Sequence, residues 1–220
     1  MVRTPKKRAR ADADKQTRRQ DIVRAAAQAF SEGPLSSVTM ADVARRAGLA
    51  KGTVYLYFPS KEALFLQLVT DALAAWFLAV EAELQRAHAE LTADALAELL
   101  VRSLVADGSL TRLMTLLHPV LEENIDDALA AAFKRRLRDQ VIAAGALLER
   151  RFPAFGPQGG GRFLLQFNAL VIGVHSMTSP SPAVARAMAL PDLAPFRLSF
   201  DVELLALTAS VLRGWRPRAG

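Results

Sequence analysis

Between residues 51 and 61 the sequence reads Lys51-Gly52-Thr53-Val54-Tyr55-Leu56-Tyr57-Phe58-Pro59-Ser60-Lys61. In a short helix, Val54 and Phe58 fall four apart on one face, which can anchor in a core. Gly52, Thr53, Tyr55, Leu56 and Tyr57 are left for the outside. Two tyrosines and a glycine on an exposed face do little for stability, but they suit contact with a polyanion. Tyrosine hydroxyls, the Lys51 and Lys61 ammonium groups and the free amides of a helix N-terminus all donate to phosphate oxygens. A glycine lets its backbone approach such a partner closely.

The elements before this stretch are those needed to hold it. In Val38-Thr39-Met40-Ala41-Asp42, Thr39 can cap a helix, with Asp42 in the acidic place of a capping box. Val43, Ala44 and Ala47 supply its buried face, and Gly48 stops it in the left-handed conformation. Leu49 and Ala50 separate it from the helix 51–58. Residues 39–58 therefore predict helix-turn-helix geometry. An earlier helix carries Ile22, Val23, Ala26, Ala27 and Phe30 at helical spacing and ends at Gly33-Pro34. Residues 1–16, with Lys6, Lys7, Arg8, Arg10 and no apolar period, read as a flexible basic arm.

Charge supports a polyanion partner. Residues 1–61 hold 13 Lys/Arg and 5 Asp/Glu, a net +8, which leaves −2 for residues 62–220 out of the whole-chain +6. A basic module on a near-neutral body is the footprint of a nucleic-acid binder. The absence of cysteine rules out disulfides and thiolate metal sites. The basic start lacks the apolar stretch of a secretory signal, and apolar runs such as 72–80 stop short of a membrane span. The chain reads as soluble and cytoplasmic, with no membrane partner. His88, His118 and His175 show no ligand spacing, so no metal or other cofactor is expected.

At this point residues 17–65 resemble the DNA-binding domain of the tetracycline-repressor (TetR) family. The resemblance runs from Ile22 to Phe30 and Gly33, through Val38-Thr39-Met40 and Val43 to Gly48, to Lys51–Phe58 and Ser60-Lys61-Glu62-Ala63-Leu64. It implies phosphate contacts for Thr39, Tyr57 and Lys61, and a base-proximal set of Lys51, Gly52, Thr53 and Tyr55. Leu56 stands where relatives often carry a polar or aromatic side chain, so any reading there is apolar, for example against a thymine methyl. Tyr55 could instead pack on the first helix. The resemblance further implies a homodimer on a palindromic duplex operator, and a C-terminal helical domain for ligand binding and dimerisation.

The rest of the chain is helical in pattern, near 60–88, 92–107, 109–124, 126–151, 160–177 and 199–215, with Gly-Gly-Gly 159–161 and the proline-rich 179–195 as breaks. The fold class is all-α, of nine or ten helices: a flexible arm over 1–16, a helix-turn-helix domain over 17–61 and an effector and dimerisation domain over 62–220. The helices 160–177 and 199–215 are apolar on more than one side and must be covered, which suggests a subunit interface. Polar or aromatic groups on apolar helices mark a candidate effector pocket: Trp76, Leu113, Leu117, His118, Phe167, Asn168, Val171 and His175. They imply an apolar or amphipathic small molecule. With no strand before a glycine-rich loop, no serine elbow and no carboxylate pair, enzymatic chemistry is not expected. An architectural DNA-binding protein would not need so large a body. A ligand-released repressor is the expected function, with an activator the alternative.

Overall fold

A computed structural model describes residues 5–87, 89–106, 108–117 and 121–217. Among these the chain forms ten α-helices and no strand: α1 (Pro5–Glu32), α2 (Met40–Arg46), α3 (Lys51–Tyr57), α4 (Lys61–Arg86), α5 (Ala93–Val105), α6 (Gly108–Leu116), α7 (Asp127–Arg151), α8 (Gly159–Thr178), α9 (Pro182–Met188) and α10 (Phe200–Arg213). The all-α expectation stands.

Local chemistry sets most boundaries. The hydroxyl oxygens of Thr39, Ser60 and Thr92 accept from Asp42, Ala63 and Ala95 amides, capping α2, α4 and α5. Asp126 caps α7 in the same way. Gly48 ends α2 with φ +67°, as its type and place predicted.

Three expectations need correction. The basic arm is not separate over residues 5–16. These continue α1, because Pro5 suits a first helical position and no glycine or proline follows before Gly33. The helix expected over 109–124 ends at Leu116, with a 3₁₀ turn at Glu122–Asn124. The proline-rich stretch 179–195 is not a bare loop. Ser181 caps α9 with Pro182 at its start, and a 3₁₀ helix follows at Pro191–Phe196.

α1, α2 and α3 form a small head closed by the start of α4. Ile22, Ala26, Phe30, Val43, Val54, Phe58, Leu64 and Phe65 are buried in it, and the Phe30 and Phe65 rings meet edge to face at 5.6 Å. Each such large apolar side chain contributes about 1.5–3 kcal/mol on burial. α4 then runs on into the body, where α7 packs on α8 and on α4, and α5 on α10. By length and composition alone α4 could cross a membrane, but 61% of its most apolar window is buried inside the protein. It is a core helix.

α7 and α8 cross at glycines. A Cβ on Gly145 would lie 2.5 Å from the Gly161 amide nitrogen, and one on Gly160 would overlap the Gly145 carbonyl. The Gly160 amide donates to the Glu149 carboxylate at 3.0 Å. Gly-Gly-Gly 159–161 is therefore a helix-crossing device.

Candidate nucleic-acid interface and effector cavity

The head presents α3 outward. Val54 and Phe58 are 0% and 1% exposed and fix one face, while Leu56 is 83% and Tyr55 42% exposed on the other. Tyr55 is thus not a core tyrosine. Lys51 and Gly52 are exposed, and Thr53 and Tyr57 half-buried. The Lys51 ammonium lies 5.9 Å from the Tyr55 ring centroid.

Gly52 is the informative position. A Cβ built there meets nothing within 4 Å, and its φ is not in the left-handed region. The chain's own packing makes no demand for glycine here, whereas Gly145 and Gly160 are compelled by backbone contact. Glycine costs a helix about 0.5–1 kcal/mol relative to alanine.

The remaining candidate contacts surround α3. Thr39 begins α2, and its hydroxyl donates to the Asp42 carboxylate at 2.6 Å while accepting from the Asp42 amide at 3.1 Å. Hydrogen bonds from Thr39 and then Arg45 hold the Asp42 carboxyl below the usual carboxylate range. The Thr39 hydroxyl proton is therefore already engaged. Lys61 spends one donor on the Leu35 carbonyl at 3.2 Å. An ammonium carries three donors, so it can still serve a phosphate.

Of the two arginines on α2, Arg45 pairs with Asp42 and stays exposed. Arg46 forms two hydrogen bonds to Glu32, at 2.7 and 2.6 Å, tying α2 to the end of α1. That pairing lowers the Glu32 pKa and raises that of Arg46. Both groups are solvent-exposed, so the link is a positioning device more than a source of stability.

Sequence reasoning overlooked Arg19. Its guanidinium donates to the Tyr57 carbonyl at 3.3 Å and to Gln67 at 2.8 Å, and lies 4.3 Å from the Phe58 ring centroid. It locks the end of α3 onto α1 and α4. No local pattern announces a contact spanning 38 and 48 residues.

In the body, a cavity of about 170 Å³ lies between α4, α6, α7 and α8. Of the candidate pocket residues, Trp76, Leu117, Phe167 and Asn168 line it. With them stand Leu73, Phe77, Met114, Lys134, Leu137, Val141, Leu164 and Leu165. The Trp76 and Phe167 rings run nearly parallel, 12° apart at 6.1 Å, and the Trp76 indole donates to Ser103 at 3.0 Å. Leu113 and Val171 are corrections: both are buried in the core but neither lines the cavity.

His175 is a further correction. It shares a face with Asn168, but seven residues of helix carry it about 10 Å further along the axis. It lies at the end of α8, edge-on to Phe200 at 5.8 Å. Burial, and then the charge of Arg112, push its pKa below the ordinary value. His118 lies outside the described residues. A second, more open depression of about 350 Å³ lies between the head and the start of α7, lined by Arg19, Tyr57, Phe133 and Arg136 among others.

On the surface, α8 exposes Leu165 and Met177, and α10 exposes Val202 and Leu207. Gly173, Ala169, Ala206 and Ser210 between them are exposed and small. The helices expected to be covered all round are thus bare along one apolar face of the single chain.

Residues 22–68 match the bacterial regulatory proteins of the tetR family, and residues 70–219 match the tetracyclin repressor-like C-terminal domain. Two relatives from Bacillus subtilis (strain 168), YdgC and YvdT, are both described as uncharacterized HTH-type transcriptional regulators. They are 38% and 40% identical over 53 and 52 residues, 24% of this chain. The matched segment spans 27% of the length of each relative. Solved structures agree in fold over nearly the whole chain. The fatty acid degradation regulator FadR from Bacillus halodurans superposes with TM-score 0.55 at 18% identity, covering 99% of this chain and 100% of that one. A transcriptional regulator of the TetR/AcrR family from Thermobifida fusca YX-ER1 gives 0.54 at 20% identity, covering 91% and 99%. FadR from Bacillus subtilis, in complex with stearoyl-CoA, gives 0.52 at 19%, covering 88% and 95%.

Proposed function

This chain belongs to the tetracycline-repressor family of bacterial regulatory proteins, and on that premise we propose that it is a cytoplasmic DNA-binding transcriptional repressor, released from its operator by a small molecule. The observation that carries the DNA reading is Gly52, a glycine on an exposed helix that the protein's own packing does not require. α3 enters the major groove, with Lys51, Gly52, Thr53 and Tyr55 at the base edges and Leu56 against an apolar group. Tyr57 and Lys61 hold the backbone and fix the register, and Thr39 joins them by turning its hydroxyl proton from Asp42 to a phosphate. Residues 17–61 are the DNA-binding head, and residues 62–220 bind the effector and dimerise.

The test is to select a preferred duplex from a random pool and measure its affinity for variants shown by circular dichroism to be folded. Gly52→Val is expected to weaken binding to that duplex at least tenfold without loss of stability, since a β-branched side chain blocks close approach. Tyr57→Phe and Lys61→Ala are expected to weaken binding to all duplexes alike. Normal operator binding by Gly52→Val removes α3 as the reading helix.

The bare apolar face of α8 and α10 supports a twofold dimer, which would set two α3 helices roughly 34–36 Å apart on a palindrome. Met177→Glu and Leu207→Glu alter side chains exposed in the single chain. Each is expected to yield a folded monomer in sedimentation where the natural protein is dimeric. A natural protein that sediments as a monomer at micromolar concentration refutes the dimer.

The cavity supports an effector with an apolar body and a polar end, the latter facing Asn168. An engineered cavity of about 150 Å³ holds benzene, so the space of about 170 Å³ suits a compact aromatic-sized ligand. A long acyl thioester, such as that bound by one structural relative, would require the helices to part.

A further inference from the structure

α6 touches both the head and the cavity. Arg112 on α6 donates to the Gly33 carbonyl at 2.7 Å, across 79 residues of sequence. Its guanidinium also lies 4.3 Å from the Phe30 ring centroid. Gly33 directly follows the last residue of α1. Carbonyls there lack helical partners and sit at the negative end of the helix dipole, so a cation is well placed. Phe30 is 1% exposed and belongs to the core of the head. A side chain of the body thus grips the head by a charge-assisted hydrogen bond and a stacked ring.

Two residues further on, Met114 lines the effector cavity, and Leu117 does so five residues on. At 100° per residue, Arg112 and Met114 point to nearly opposite sides of the helix. α6 is nine residues long, too short to absorb a push on one side without moving the other. We propose that Arg112 is a positioning residue that couples the cavity to the DNA-binding head: it fixes the head in the operator-competent orientation while the cavity is contracted, and is drawn off Gly33 and Phe30 when a filled cavity displaces α6. This rests on the regulator reading above. A ligand gains leverage over DNA only by preferring the unlatched conformation, and typical couplings amount to a 5- to 150-fold change in affinity.

Cavity filling can be imposed without knowing the effector, by Met114→Trp. Affinity for the selected duplex is measured for the natural protein, Met114→Trp, Arg112→Ala and the double variant, all as full chains. Met114→Trp is expected to weaken binding about tenfold in the natural background and less than twofold in the Arg112→Ala background, where the latch is already open. Arg112→Lys keeps the charge but loses the planar stack, and is expected to restore part of the coupling. A residue that merely supports the fold gives additive effects. Additivity overturns the proposal, as does a Met114→Trp protein that binds DNA normally.

Met114→Phe replaces Met114→Trp if the larger ring prevents folding. Amide hydrogen exchange over residues 28–38 provides a readout without DNA. Exchange there is expected to rise on cavity filling when Arg112 is present and to show no further rise when it is absent. Unchanged exchange in the natural background also overturns the latch. A natural protein that binds no duplex refutes the regulator reading, while the exchange result still judges the latch.

Discussion

Raising the salt from 50 to 200 mM is expected to lower the affinity of this protein for duplex DNA by roughly 10³–10⁵-fold. The net +8 on residues 1–61 is concentrated on the module that carries α3. In a dimer two such modules face the duplex. If each neutralises three to five phosphates, six to ten counterions are released, and each contributes a log–log slope of about −0.9. Lys51, Lys61 and the basic start of the chain are the sources. Fluorescence anisotropy of a labelled duplex across this salt range gives the slope directly. Deleting residues 1–14, which carry five Lys/Arg and two Asp, is expected to make the slope shallower without unfolding the protein. A salt-insensitive affinity rules out phosphate contact as the basis of binding.

Replacing Gly160 by alanine is expected to destabilise the fold by about 2 kcal/mol, although alanine is the better helix former. Two effects oppose each other. Alanine gains about 1 kcal/mol of helix propensity over glycine. Against this, the new Cβ overlaps the Gly145 carbonyl, and a Cβ on Gly145 would press on the Gly161 amide at 2.5 Å. The obstructing atoms on both sides are backbone, so no side chain can rotate away and the helices must separate. Overpacking typically costs 1–3 kcal/mol, and a backbone-on-backbone clash belongs at the upper end, so the clash outweighs the propensity. Gly52→Ala is the control. It enters open space, and is expected to leave stability unchanged or raise it by up to about 1 kcal/mol. The urea midpoint should therefore fall for Gly160→Ala and stay level or rise for Gly52→Ala. An unshifted midpoint for Gly160→Ala shows that α7 and α8 do not need the glycine contact.

The sequence by itself determined the helix-turn-helix and most of its candidate contacts. The signals involved act within a few residues: the Thr39 cap with Asp42, the left-handed Gly48, Val54 and Phe58 four apart, and the Ser60 cap. Such spacings are local, and the helix period converts them directly into faces. The same logic brought Trp76, Phe167 and Asn168 to one cavity, because an apolar helix interrupted by a polar or aromatic group is visible along the chain. It misplaced His175, since a shared face says nothing about the two helical turns that separate His175 from Asn168. It misread residues 5–16, because the lack of apolar period was taken for lack of helix, and a helix needs no buried stripe where its residues favour it intrinsically. Tertiary structure alone decided the rest. Arg19 reaching Tyr57 and Gln67, Arg112 reaching Gly33 and Phe30, and Gly145 meeting Gly160 and Gly161 join residues from 15 to 82 positions apart. Periodicity carries no record of which faces will meet. That is fixed only when the helices pack, and there the head is joined to the body.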